Sequence, residues 1–195
     1  MTVEIETQPV GLTEVNVLER LFATQRTTRH CWCMSFCTSR WTFAAGWFGG
    51  GNKRRFEALA GQDSPLGVMA SRSGAPVGWS ACGPRSRFVG QSPSRHPLMS
   101  ARPRAEDQRV WLLPCVFVHS DHRGQGVSHA LIRAATSLAR ARRAVALEAW
   151  PSSASGGRSA DAFVGREQLF AELGFRCLEE PVPGRVVMRL DLIGG

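Results

Sequence analysis

Residues 110 to 143 hold three elements in direct succession: an almost unbroken apolar run from Val110 to Val118, a short loop with Gly124 and Gly126, and an amphipathic run. Val127, Ala130, Leu131, Ala134, Leu138 and Ala139 recur at helical spacing, which predicts a helix with one apolar face through Arg143. The apolar run contains Pro114 and falls well short of the roughly 20 residues that cross a bilayer, so it reads as a strand buried in a sheet. A buried strand feeding a helix through a glycine turn commits the chain to a mixed α/β architecture. The same geometry makes an anion site: glycines let the backbone approach a ligand, and the free N–H groups of the first helical turn point at it with the positive end of the dipole. Phosphate is the natural guest. No Lys follows to complete G-x-x-x-x-G-K-[ST], and His129 stands where G-x-G-x-x-G needs its third glycine, so a mononucleotide P-loop is excluded.

The remainder alternates between strand and helix signals. Val3 to Ile5 reads as a short strand, and Thr13 as the cap of a helix carrying Val15, Leu18, Leu21 and Phe22 inward. Residues 30 to 48 show no period and read as irregular. Asn52 is expected to cap a second helix through Ala60, ended by Gly61. Leu66 to Arg72 and Pro76 to Cys82 flank Ser73, Gly74 and Ala75 as a hairpin. Residues 83 to 108 hold four Pro and five Arg without periodicity, which predicts a functional loop or lid. Ala144 to Trp150 is a strand, 151 to 165 a second loop, Arg166 to Leu173 a short helix, and Phe175 to Leu178 and Arg185 to Leu192 closing strands. With 195 residues against roughly 150 per domain, and no internal repeat, the expectation is one domain over 1–195.

Charge and cysteine usage narrow the partners. The chain carries 24 basic and 16 acidic side chains, a net of +8, and Lys53 is its only Lys. Arginine forks suit phosphate and carboxylate, but the Arg residues are scattered and no reading motif accompanies them, which argues against nucleic acid. The opening MTVEIETQPV has no basic region followed by an apolar run, so a cytoplasmic protein with reduced thiols is expected, with no membrane contact. Cys31, Cys33 and Cys37 miss the C-x-x-C knuckle spacing and lack a distant partner pair, so no metal is expected.

The stretch PCVFVHSDHRGQGVSHALIRAA resembles the acyl-CoA signature R-x-x-G-x-G/A of the GNAT superfamily of N-acetyltransferases, with Arg123, Gly124, Gln125, Gly126, Val127 and Ser128 in its positions. Ser128 departs from the last one. The element order and the ending AELGFRCLEE are also similar to that family, over roughly residues 10 to 192, and HCWCM, GWSACGPR and DAF resemble an uncharacterised subgroup of it. The resemblance implies a GNAT fold: a mixed, mostly antiparallel sheet with a central splay, flanked by helices. It implies that the N–H groups of Gln125, Gly126, Val127 and Ser128 hold the pyrophosphate of acetyl-CoA or another acyl-CoA, with Arg123 and Gly124 shaping the loop. Val116, Phe117 and Val118 would face pantetheine in the gap beside the strand ending near Trp150. The backbone N–H of Val118 or Phe117 would stabilise the oxyanion as an amine attacks the thioester.

The implied activity is N-acylation of a small-molecule amine by direct attack. An acyl carrier protein as donor, docking on the Arg-rich 85 to 109 region, and a non-catalytic CoA-binding module remain alternatives; a monomer or homodimer is expected. The family's usual acid, a Tyr in the last helix, is replaced by Phe170, and the chain has no Tyr. Glu148 is the first candidate base, or a solvent-facing position of an alternating strand; His119 is the second, and His122 stands beside it. Cys31, Trp32, Cys33 and Met34 either line the acceptor site or pack, and Arg85 is a further acceptor-binding candidate. Cys115 reads as core.

Overall fold

A computed structural model of the chain describes residues 4–63, 65–89, 102–153, 163 and 165–192. Its centre is a seven-stranded sheet among those residues, in the order β1-β2-β3-β4-β5-β7-β6. The strands are β1 (Glu6–Val10), β2 (Gly67–Arg72), β3 (Ala75–Pro84), β4 (Val110–Val118), β5 (Ala146–Ala149), β6 (Arg176–Val182) and β7 (Arg185–Asp191). All pairings are antiparallel except β4 with β5. The expected α/β sheet with a mostly antiparallel order is therefore the observed one.

Every residue of β4 is buried, because helices cover both faces of the sheet. On one face lies α6 (Val127–Ala141), whose Val127, Leu131, Ile132, Ala135 and Ala139 are buried against β2, β3 and β4. Each large aliphatic side chain so buried contributes about 1.5–3 kcal/mol. On the other face α1 (Val15–Phe22), α2 (Arg26–Cys31), α3 (Arg40–Ala45) and α4 (Gly51–Gln62) enclose an aromatic core of Phe22, Trp32, Phe56, Trp79 and Phe117. Two shorter helices, α5 (Arg85–Val89) and α7 (Glu167–Glu172), sit at the ends of β3 and before β6.

Several details differ from the sequence reading. The first strand is Glu6–Val10 rather than 3–5; as a sheet edge with four exposed residues it has no apolar alternation to mark it. Much of the stretch 30 to 48 is not irregular: it holds the end of α2, a 3-10 turn at Met34–Phe36, and α3. Asn52 caps nothing: it lies buried inside α4, where its amide donates to the carbonyls of His30 (2.9 Å) and Phe43 (3.2 Å) and pins the whole segment to the helix. The hairpin turn falls at Ser73 and Gly74, both at positive φ (47° and 75°), as a two-residue turn between right-twisted strands requires. The middle of the expected lid, 90–101, and most of the 151–165 loop lie outside the described residues.

Candidate active site

Pro114 interrupts the ladder at the centre of the sheet. Gly78 to Ala81 pair with Val118 to Cys115 in one register, and Gly83 and Pro84 with Leu112 and Trp111 in another, so β4 holds one extra residue at Leu113–Pro114. A proline lacks the N–H a central ladder needs and is accommodated by such a bulge. The bulge exchanges the faces of the strand: Trp111 and Leu113 point to α6, then Val116 and Val118 do, while Cys115 and Phe117 face the aromatic core. Pairing with β5 ends at Leu113–Ala149, leaving the β4 edge beyond it without a strand partner among the described residues. His119 N–H donates to Val77 O on the β3 side. Alternation along the strand then aims the N–H groups of Val116 and Val118 the other way, into the gap. The Arg123 Nε donation to Val118 O (3.4 Å) comes from that open side.

At the lower end of this edge the chain turns through Ser120–His122 into the glycine loop. Gly124 and Gly126 have φ of 70° and 83°, a region in which a side chain is strained, and a Cβ on Gly124 would meet nothing within 4 Å. The loop is open to a ligand. Ala130 is the first residue of α6 to return its N–H to the helix, at Gly126 O, so Val127, Ser128 and His129 present theirs outward. Arg72, at the tip of β2, donates to both the side chain and the carbonyl of Gln125 and steadies the loop. Val118, Arg123, Gly124, Gly126, Val127 and Ser128 line a cavity of about 320 Å³, with His122 also on its wall.

On the aromatic side a larger cavity of about 690 Å³ is lined by Phe22, Trp32, Cys33, Phe36, Cys115, Phe117 and Arg123 among others. Arg123 and the Phe117–Val118 edge join the two cavities. Of the four residues read as acceptor wall or packing, Cys31, Trp32 and Cys33 line this cavity, whereas Met34 is buried and does not. Trp32 and Cys33 both take left-handed backbone, φ of 49° and 55°, which costs about 1–3 kcal/mol for each non-glycine residue. This pair of turns swings the Cys33 thiol over β3 and β4, where it accepts from Trp79 Nε1 at 3.3 Å. Donation from the Cys115 thiol, aided by the Trp79 N–H and opposed by burial, holds Cys33 below the usual thiol range. The same hydrogen bond, with burial, pushes Cys115 well up. Burial also raises Cys31, to about 11. The sequence offers Cys33 as wall or as packing; no periodicity signals the left-handed pair that aims it.

The expected proton carriers stand elsewhere. Glu148 is fully buried on β5, across from Leu112 of β4, with Arg85 (3.0 Å), Arg102 (2.5 Å) and Arg189 (3.1 Å) donating to its two oxygens. It is therefore not the solvent-facing strand position allowed above, and it is absent from the lining of the 690 Å³ cavity. Arg85, also fully buried, bonds Asp107 and Pro103 O in addition (both 2.6 Å), so it holds the 103–107 segment rather than facing that cavity. His119 bonds its own turn, accepting from Asp121 N at 3.3 Å, and likewise does not line the cavity. Phe170 is core, packed edge-on against Phe175 at 5.2 Å.

Similarity to known proteins agrees with this arrangement. Solved structures superpose over nearly the whole chain at low identity. A PaiA N-acetyltransferase from Thermoplasma acidophilum, in complex with coenzyme A, has a TM-score of 0.57 at 8% identity, over 96% of this chain and 99% of that one. A ribosomal-protein-alanine N-acetyltransferase from Brucella melitensis gives 0.58 at 18%, over 96% and 99%. A GNAT-family acetyltransferase from Listeria monocytogenes gives 0.59 at 15%, over 97% and 96%. No curated protein matches the sequence. The sequence profile of the acetyltransferase (GNAT) family matches residues 26–156, two thirds of the chain, and on that match, with the splayed sheet and glycine loop where the fold requires them, the chain belongs to the acetyltransferase (GNAT) family.

Proposed function

We propose that the protein moves an acetyl or other acyl group from acyl-CoA to the amine of a small molecule, as one catalytic domain over 1–195. The carrying observation is the continuity of three features: a cavity at a helix start, a β4 edge beside it with no strand partner among the described residues, and a largely apolar cavity joined to that edge. Pyrophosphate is held by the N–H groups of Gln125, Gly126, Val127 and Ser128, where the helix dipole favours anions. Pantetheine adds to the β4 edge through the backbone of Val116 and Val118, flanked by Phe117. The thioester carbonyl then lies against the β4 edge, with the Val118 N–H as oxyanion donor. That the Thermoplasma acidophilum neighbour is in complex with coenzyme A supports the choice of ligand.

The acceptor enters the 690 Å³ cavity, whose aromatic wall favours an apolar amine. Transfer forms the amide C–N bond and breaks the thioester C–S bond, and the proton shed by nitrogen is balanced by release of CoA as its free thiol. Glu148 and Arg85 act in this reading as positioning residues: they fasten the 102–107 segment to β5 and β7. Free acyl-CoA is favoured over a carrier protein, because Arg85, Arg87 and Arg102 are each paired with a carboxylate and are not a vacant docking face. CoA-thiol release from acetyl-CoA with pooled primary amines tests the activity. Binding without release for any pool would leave a CoA-binding module instead.

A further inference from the structure

We infer that Cys33 is a nucleophile that accepts the acyl group from acyl-CoA as a thioester before it passes to the acceptor amine. The inference rests on the acyl-CoA reading above and concerns the route within it. Three observations carry it. Cys33 lines the large cavity beside Cys115, the first residue past Pro114, where the free edge of β4 begins. The Trp79 indole N–H donates to its sulfur at 3.3 Å, and the Cys115 thiol lines the same cavity. The backbone that places it there is left-handed at two consecutive non-glycine residues, Trp32 and Cys33. Left-handed backbone at Trp and Cys persists only where packing enforces it, and here Trp32 is locked edge-on against Phe22 (5.0 Å) and Phe56 (5.4 Å).

An N–H donor aimed at the sulfur favours its thiolate, the form that attacks a carbonyl. Of the thiols that line the cavity, Cys33 alone is lowered, whereas Cys31 and Cys115 are raised. In the first step the Cys33 sulfur bonds to the acyl carbon, the bond from that carbon to the CoA sulfur breaks, and the proton that Cys33 gives up ends on CoA as its free thiol. In the second, the amine nitrogen attacks the acyl-Cys33 carbon, the C–S bond breaks, and one ammonium proton returns to Cys33. Thioester is exchanged for thioester and then spent on an amide, so no oxidant or further reactant enters. The missing Tyr acid fits this route, since each leaving sulfur is a good leaving group.

The test mixes the full-length protein with acetyl-CoA and no acceptor, quenches in acid, and maps acetylated peptides by mass spectrometry, with CoA release followed in parallel. The expected result is one acetyl group on Cys33, labile to hydroxylamine, with a burst of CoA equal to the enzyme present. Cys33→Ser and Cys33→Ala lose both while retaining acetyl-CoA affinity by calorimetry, and Trp79→Phe slows the burst by about tenfold or more through loss of one donor to a charged sulfur. Cys177→Ser, an exposed thiol outside both cavities, leaves it unchanged. No adduct in the wild type, or an adduct on Cys115 or Cys177 instead, overturns the inference, and the wild-type map decides even should a variant fail to fold. Acetyl-CoA binding with acceptor-dependent release but no adduct sinks only the Cys33 route; absence of binding sinks the acyltransferase reading itself.

Discussion

A Cβ placed on Gly78 would lie 2.7 Å from Val127 Cγ1 and 3.0 Å from Leu131 Cδ1, so the first turns of α6 rest directly on the bare backbone of β3. This contact sets how close the helix start, and with it the glycine loop, comes to the free edge of β4. Gly78→Ala has to push the helix outward, at a cost of about 1–3 kcal/mol for overpacking. The expected outcome is a lower Tm with a weaker Kd for acetyl-CoA, read by calorimetry; an unchanged Kd would show that the helix position does not govern the cradle.

Glu148 answers to three guanidiniums and no solvent, so Glu148→Gln leaves buried arginines short of charge. Removal of one partner from a buried ion pair costs about 3–5 kcal/mol, which urea unfolding would register as a lower midpoint. Preserved stability with a large fall in turnover would instead return Glu148 to proton transfer.

Alkaline pH should weaken the fold through buried thiols. Burial pushes Cys37 and Cys82 up to about 12 from an ordinary 9.0. Between those values the unfolded chain loses protons that the folded one keeps, so stability is full below about pH 9 and falls as pH rises toward 12, by about 1.4 kcal/mol per pH unit for each thiol. Thermal unfolding across pH 8 to 11 checks the slope, to which the raised Cys31 and Cys115 thiols add, and Cys82→Ala should reduce it by about a quarter.

Phe36 and Phe43 wall the large cavity without touching the glycine loop. Phe36→Ala and Phe43→Ala should raise KM for the amine and leave KM for acetyl-CoA unaltered. A change in the donor constant alone would move the acceptor site elsewhere.

The sheet and the cradle were legible because their signals are local. Val110 to Val118, the two glycines, and the stripe from Val127 to Ala139 each follow from a period or a turn requirement within a few residues. The catalytic surroundings were not, because they are made by pairings across the chain. Glu148 meets Arg85, 63 positions away, and the two cancel as buried ions, which no spacing reveals. Cys33 reaches Trp79 only because Trp32 and Cys33 adopt left-handed backbone, a choice imposed by packing rather than by residue type. Pro114 inside an apolar strand was a usable sign of the bulge, since a central strand tolerates proline only there.

The central claim is that acyl-CoA is held by the 123–128 loop and the β4 edge. Isothermal calorimetry of acetyl-CoA into the wild type and Gly126→Val tests it most directly, because Gly126 sits at φ 83° and a branched side chain there both strains the turn and fills the cradle. The account predicts one-to-one binding by the wild type and no measurable binding by a variant whose circular dichroism still shows the native fold. Equal affinity of the two proteins, or no binding by the wild type, would contradict it.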